Sequence, residues 1–163
     1  MNSKLRNQII KFLREVKIDN PINITLTEKQ FIEVEHKGNR KRIILDEIKS
    51  ERNFRHFKNV LNKKLFGNSY WRFKNQLGMI VVREVSKDNR YHLHCIIEQP
   101  KHLEFNKFKE LIESIWKKSD FGYYEIHIEK PTSHKREVGW FNYIMKDNIE
   151  HSIDWNNSVL KVC

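Results

Sequence analysis

The chain has 163 residues, the length of one domain, and its 39% apolar and 12% aromatic residues exclude wholesale disorder. Lys and Arg exceed Asp and Glu by 31 to 21, and the net charge of +10 points to a polyanionic partner, nucleic acid ahead of a membrane surface. No apolar run approaches about 18 residues and no secretory pattern opens the chain, so the expectation is a cytoplasmic protein with no membrane partner. Cys95 and Cys163 lack the spacing of a zinc knuckle or a redox pair.

At the N-terminus Leu5, Ile9, Phe12, Leu13 and Val16 recur at helical spacing until Asn20-Pro21 breaks the pattern. A strand is predicted from Ile22 to Thr27. The stretch from Glu28 to Ile44 is mixed, with one further strand around Phe31-Ile32-Glu33-Val34 and a turn at Lys37-Gly38-Asn39. The clearest helix runs from about Asp46 to Phe66, carries Phe54, Phe57, Val60, Leu61 and Leu65, and stops at Gly67-Asn68. Two strands follow, Met79 to Val85 and Tyr91 to Glu98, joined by a polar turn. A helix from about Phe105 to Lys117 groups Phe108, Leu111, Ile112 and Ile115. The strand from Tyr123 to Glu129 alternates Tyr124, Ile126 and Ile128 against Glu125, His127 and Glu129. A last helix is predicted from about Arg136 to Asn148. Interleaved helices with hairpin-linked strands predict an α+β fold, an antiparallel sheet with helices on one face. No repeat or Pro/Gly-rich linker divides the chain, so 1–163 reads as one domain.

The segment Arg90-Tyr91-His92-Leu93-His94-Cys95 is the most informative. Residues two apart on a strand share a face, so His92 and His94 point one way and Leu93 and Cys95 the other. Two adjacent imidazoles make half of a divalent-metal site. A hairpin loop of Lys87-Asp88-Asn89, with Asn89 left-handed, pairs Ser86 with Arg90 and sets Glu84 opposite His92 on the same side. A two-residue loop would reverse that parity and remove Glu84. Two His and one carboxylate leave open positions for a phosphate oxygen. The competing reading is a polar outer strand face with no metal.

In the last helix Val138, Phe141, Ile144 and Met145 form the expected buried stripe, which leaves Tyr143 and Lys146 together on the other side. A tyrosine can attack a phosphodiester and conserve the bond energy as a phosphotyrosine. Its phenol, with a free pKa of about 10, needs ionising or a hydrogen bond. A lysine one turn away can stabilise the phenolate or the pentavalent phosphorus. The bland alternative is an amphipathic side chain beside a solvated charge. Lys130, Lys135 and Arg136, clustered before this helix, are the candidate phosphate contacts, with salt-sensitive binding expected.

In combination and order, these segments resemble the replication initiators of the His-hydrophobe-His (HUH) endonuclease superfamily, in particular compact Rep proteins of phages and plasmids. Ile24-Thr25-Leu26-Thr27 resembles the first motif of that family, Tyr91-His92-Leu93-His94 the second and Tyr143-Ile144-Met145-Lys146 the third. Phe54-Arg55-His56-Phe57, Phe66-Gly67-Asn68-Ser69-Tyr70 and Trp116-Lys117-Lys118 are also similar. The resemblance covers roughly residues 22–148, with an N-terminal helix and a short C-terminal extension outside it. It implies a ferredoxin-like or RRM-like sheet, Mg²⁺ or Mn²⁺ held by Glu84, His92 and His94, and nicking of single-stranded or hairpin origin DNA. The nick would pass through a covalent 5′-phosphotyrosine at the single Tyr143 and start rolling-circle replication, in a host cytoplasm if the source is a phage. No G-x-x-x-x-G-K-[ST] motif is present, so unwinding falls to a host or separate helicase. His127 departs from the acidic residue expected there and reads as an exposed strand-face histidine. Two alternatives stay open: a single-strand transposase of the same superfamily, and a non-catalytic RRM-like binding module that stacks bases on exposed aromatics.

Overall fold

Whether a strand alternates or runs continuously apolar decides how many of its faces are buried. The computed structural model describes residues 3–146 and 149–161. Its elements are α1 (Ser3–Glu15), β1 (Pro21–Glu28), β2 (Phe31–His36), β3 (Asn39–Ile44), α2 (Glu47–Phe66), α3 (Asn68–Phe73), β4 (Met79–Val85), β5 (Tyr91–Glu98), α4 (Phe105–Trp116), β6 (Gly122–Glu129), α5 (His134–Ile144) and α6 (Ile149–Ser152). Asp46 caps α2 by accepting the Lys49 amide at 2.8 Å, and Ser133 caps α5 by accepting the Arg136 amide.

The main sheet has the order β4-β5-β1-β6 with every neighbour antiparallel. With α2 and α4 as the crossovers this is βαββαβ, the ferredoxin-like arrangement, and the expected α+β class holds. Ile22, Ile24, Leu26, Met79, Val81, Leu93, Cys95 and Ile97 point to one face. There they pack on Phe54, Phe57 and Leu61 of α2 and Phe108, Ile112 and Trp116 of α4. The expected helical layer on one face is thus α2 and α4. The opposite face is also partly covered: Ile80, Val82 and Ile96 lie under Leu13 of α1, Phe141 and Ile144 of α5, and Met145. The unbroken run Met79-Ile80-Val81-Val82 is the sequence trace of this double burial.

Several elements differ from the sequence expectation. β3 was not expected: it pairs with β2 as a separate two-stranded sheet, and Asn39-Arg40-Lys41-Arg42 is exposed on both faces, so no apolar pattern marks it. Gly67, at φ +56°, ends α2 as expected, but the chain turns directly into α3. α5 ends at Ile144, with Met145 at φ −96° and ψ 11°, and part of the predicted extension to Asn148 lies outside the described residues. Val138 is not buried but 38% exposed, because the first turns of α5 border an unfilled groove of about 430 Å³ shared with Leu13 and Val16. The C-terminal segment is part of the fold: Met79 and Val159 exchange backbone hydrogen bonds and the Asp154 amide donates to Val81 O, which covers the free edge of β4. Leu13 and Ile153, both outside the expected 22–148 core, are buried.

A buried polar cluster sits where β1 and β4 meet α2. Glu28 accepts from Ser50 Oγ at 2.6 Å and Asn53 Nδ2 at 2.9 Å, and Arg83 Nε donates to Ser50 Oγ at 3.1 Å. Burial pushes the Glu28 carboxyl above its ordinary 4.5, against the opposing pull of Ser50, Asn53 and Arg83. An acid raised by folding binds its proton more tightly in the folded state. Its contribution is therefore full below 4.5 and is lost as the pH rises through the folded-state value. Glu28→Gln keeps the shape and removes the titration. The melting temperature of the wild type minus that of the variant should fall as the pH is raised toward about 8. A difference that stays flat over that range would mean that Glu28 titrates like a free carboxyl.

Candidate active site

The β4–β5 hairpin sets the register of the site. Ser86 N–H donates to Arg90 O at 2.9 Å and Asn89 takes φ +56°, so the loop is Lys87-Asp88-Asn89 as the sequence suggested. Glu84 then stands opposite His92 and Val82 opposite His94. Across β5, Thr27 pairs with His92 and Thr25 with His94, and Thr25 also faces His127 of β6. Strand parity keeps all of these polar residues off the face that packs on α2 and α4.

Each imidazole is held by the threonine beside it. Thr25 Oγ1 lies 3.0 Å from His94 Nδ1, and Thr27 Oγ1 lies 3.3 Å from His92 Nδ1. This gives Thr25-Leu26-Thr27 a physical role: Leu26 fills the core while both hydroxyls orient the histidines. The two rings lie nearly parallel, 14° apart in plane, with centroids 6.4 Å apart. Glu84 Oε2 is 2.7 Å from His94 Nε2, and Lys146 Nζ is 3.5 Å from Glu84 Oε1.

Partial burial pushes the Glu84 carboxyl up, but the hydrogen bond and charge of His94 and the charge of Lys146 outweigh it and hold the group below 4.5. Burial pushes His94 below 6.5, against the pull of Glu84. An ionised Glu84 only accepts, so His94 Nε2 carries the hydrogen between them, and the Thr25 hydroxyl donates to Nδ1 of the neutral ring. Neutral imidazole is the form that ligates a metal. Because a threonine hydroxyl also accepts, the ring can carry its proton on Nδ1 and bare Nε2 without losing its partner.

α5 supplies the other half of the site. The Tyr143 ring stands edge-on to His94 with centroids 5.6 Å apart. Trp140, one turn earlier, stacks on Tyr143 at 5.5 Å and meets His94 edge-on at 5.8 Å. Lys146, just past the helix end, places Nζ 4.3 Å from the Tyr143 ring centroid. Phe141, Ile144 and Met145 are buried while Tyr143 stays 45% exposed, as the helical stripe required. Tyr143, Trp140, Glu84, His92, His94 and both threonines line one cleft of about 420 Å³.

No family model, curated protein or solved structure matches the chain. The chemistry of the cleft therefore rests on its own side chains.

The structure brings Glu84, His94, Tyr143 and Lys146 into direct contact and sets His92 beside them on the same face. Among the described residues, no three His, Cys, Asp or Glu side chains gather around a single point. Glu84 is closed onto His94 rather than held between the two rings. Lys135 and Arg136 line an adjoining groove that also includes Trp140 and Tyr143. Lys130, directly after β6, is exposed and lines neither opening. His127 is exposed, lies 3.5 Å from Glu129 and borders the main cleft. The sequence reading missed Trp140, whose signal was its spacing one turn before Tyr143. It also missed His151 and Ser152, which share a second opening with Glu84, His94 and Lys146 and carry no motif.

Proposed function

We propose that the protein is a divalent-metal-dependent single-strand DNA endonuclease and strand-transferase that nicks origin DNA through Tyr143 to start rolling-circle replication. The observation that carries this reading is the contact of Tyr143 with His94 in a cleft that also holds His92 and Glu84, with Lys146 against the Tyr143 ring. A nucleophile and metal-type donor residues share one opening of about 420 Å³, and a cation lies beside both.

In donor type Glu84, His92 and His94 suit a divalent cation, one ionised carboxylate and two oriented imidazoles, although Glu84 is closed onto His94; Mg²⁺ or Mn²⁺ held by them would polarise the scissile phosphate. The chain's own residues do the rest. Lys146, above the Tyr143 ring, is placed to stabilise the negative charge that builds on phosphorus. Trp140 and His94 hold the ring in place. The Tyr143 oxygen bonds to phosphorus, the P–O3′ bond breaks, and the electron pair leaves on the 3′-oxygen. That oxygen takes up a proton while the phenol proton passes to water. The product is a 5′-phosphotyrosine and a free 3′-hydroxyl, and the reverse attack rejoins a strand. Lys135 and Arg136, in the groove that meets the cleft at Tyr143, suit the phosphates of the flanking strand.

The test is incubation of the protein with single-stranded circular DNA and Mn²⁺ or Mg²⁺, with and without a chelator, followed by mass spectrometry of the tryptic peptides. Nicking that stops with the chelator, and a nucleotide adduct on the peptide containing Tyr143, are the expected results. His94→Ala should lose Mn²⁺ binding and nicking together. Chelator-resistant cleavage, or cleavage with no protein-bound nucleotide, would overturn the reading.

A further inference from the structure

Successive residues on a strand normally point to opposite faces. Tyr123 and Tyr124 on β6 do not: their ring centroids are 4.1 Å apart, and the Tyr123 hydroxyl donates to the Tyr124 oxygen at 3.0 Å. The β1–β6 pairing shifts register between Leu26 and Glu28, beside this point, and such irregularities re-aim side chains. Tyr124 is 72% exposed, so its ring adds little to the core. Arg90 caps the pair on one side, its guanidinium 5.4 Å from the Tyr123 ring centroid, and is itself held by Glu125 at 3.3 Å. Glu125, two residues along β6, lines the cleft with His92 and Tyr143.

We propose that the Tyr123–Tyr124 pair, flanked by Arg90, is a stacking platform for an unpaired base of the DNA strand that enters the cleft past Glu125. This rests on the single-strand DNA reading above and adds a base-binding site to it. The chemistry favours a nucleotide over an apolar partner. The exposed faces are phenolic and hydrogen-bonded to each other, so the rings are ordered before binding, and the adjacent cation suits a phosphate. The strand would then meet Tyr123, Tyr124 and Arg90 at the start of β6, and Lys135 and Arg136 in the groove beyond Tyr143.

The experiment is fluorescence anisotropy of a labelled single-stranded oligonucleotide and of its duplex, in chelator so that no cleavage occurs. Wild type, Tyr124→Ala and Tyr124→Phe are compared, with thermal melts to confirm folding. Base–aromatic stacking of about 1–3 kcal/mol predicts that Tyr124→Ala weakens single-strand binding by roughly 5- to 150-fold. Tyr124→Phe, which keeps the ring face and loses only the hydroxyl that Tyr123 bonds, should lose far less than Tyr124→Ala, and duplex binding should not change. Wild-type single-strand affinity in Tyr124→Ala, or an equal loss on the duplex, overturns the platform and leaves the endonuclease reading standing. A wild-type protein that does not bind the single strand at all overturns that reading, and the platform with it.

Discussion

Replacing Tyr143 with Phe is expected to abolish nicking and the covalent DNA adduct while leaving the fold and DNA binding intact. The change removes one hydroxyl from a side chain that is nearly half exposed, so no packing is lost. The ring contacts to Trp140 and His94 and the Lys146 ammonium above the ring all survive. Loss of a nucleophile in a covalent mechanism costs about 10³-fold or more in rate. Lys146→Ala should instead slow cleavage by roughly 10²-fold, the scale of losing one electrostatic stabiliser. Single-turnover nicking of an origin oligonucleotide distinguishes these outcomes. Wild-type nicking by Tyr143→Phe would sink the tyrosine mechanism, and an adduct on Tyr123 or Tyr124 would move it to the edge strand.

The second large effect is structural. Asp154→Ala should destabilise the fold by about 3–5 kcal/mol, because it takes from the buried Arg83 guanidinium its buried partner and leaves it only Ser50 and the exposed Glu47, 3.4 Å away. The two side chains are only 8% and 2% exposed, with Arg83 Nη2 donating to Asp154 Oδ2 at 2.8 Å. Asp154 also accepts from Asn157 Nδ2 at 2.7 Å and the Asn157 amide at 3.1 Å, so the loss reaches the segment that covers the edge of β4. At roughly 2–4 °C per kcal/mol for a chain of this size, the melting temperature should drop by about 6–20 °C. Removing both charges in Arg83→Met/Asp154→Ala should cost less than the sum of the single changes, since no unpaired charge then stays buried. Additive losses in denaturant titrations would show that the pair is not coupled. Ile153 of the same segment packs with Ile144 and Met145 at the end of α5, so loosening it should also slow nicking.

Local rules read along the chain were enough for much of this molecule. The alternation around His92 and His94, the three-residue loop ending in the left-handed Asn89, and the stripe of Phe141, Ile144 and Met145 each involve neighbours within a few residues. Strand parity and helical periodicity act at that range, which is why the parity of Glu84 and the outward side of Tyr143 were legible. The α+β class followed from the same periodicities.

Contacts between distant segments required the folded chain. That Tyr143 meets His94 depends on α5 lying across the sheet face opposite α2 and α4, and the apolar run in β4 hints at that burial without saying what covers it. Closure of Glu84 onto His94, rather than between both histidines, is a choice of side-chain rotamer set by Lys146 and Thr25, and strand register does not determine it. β3 escaped notice because a ribbon exposed on both faces has no hydrophobic pattern to betray it. The seat of residues 153–159 along β4 was hidden for another reason: hydrogen bonds to a strand edge and one buried ion pair are formed with partners some 70 residues away, beyond the reach of any local pattern.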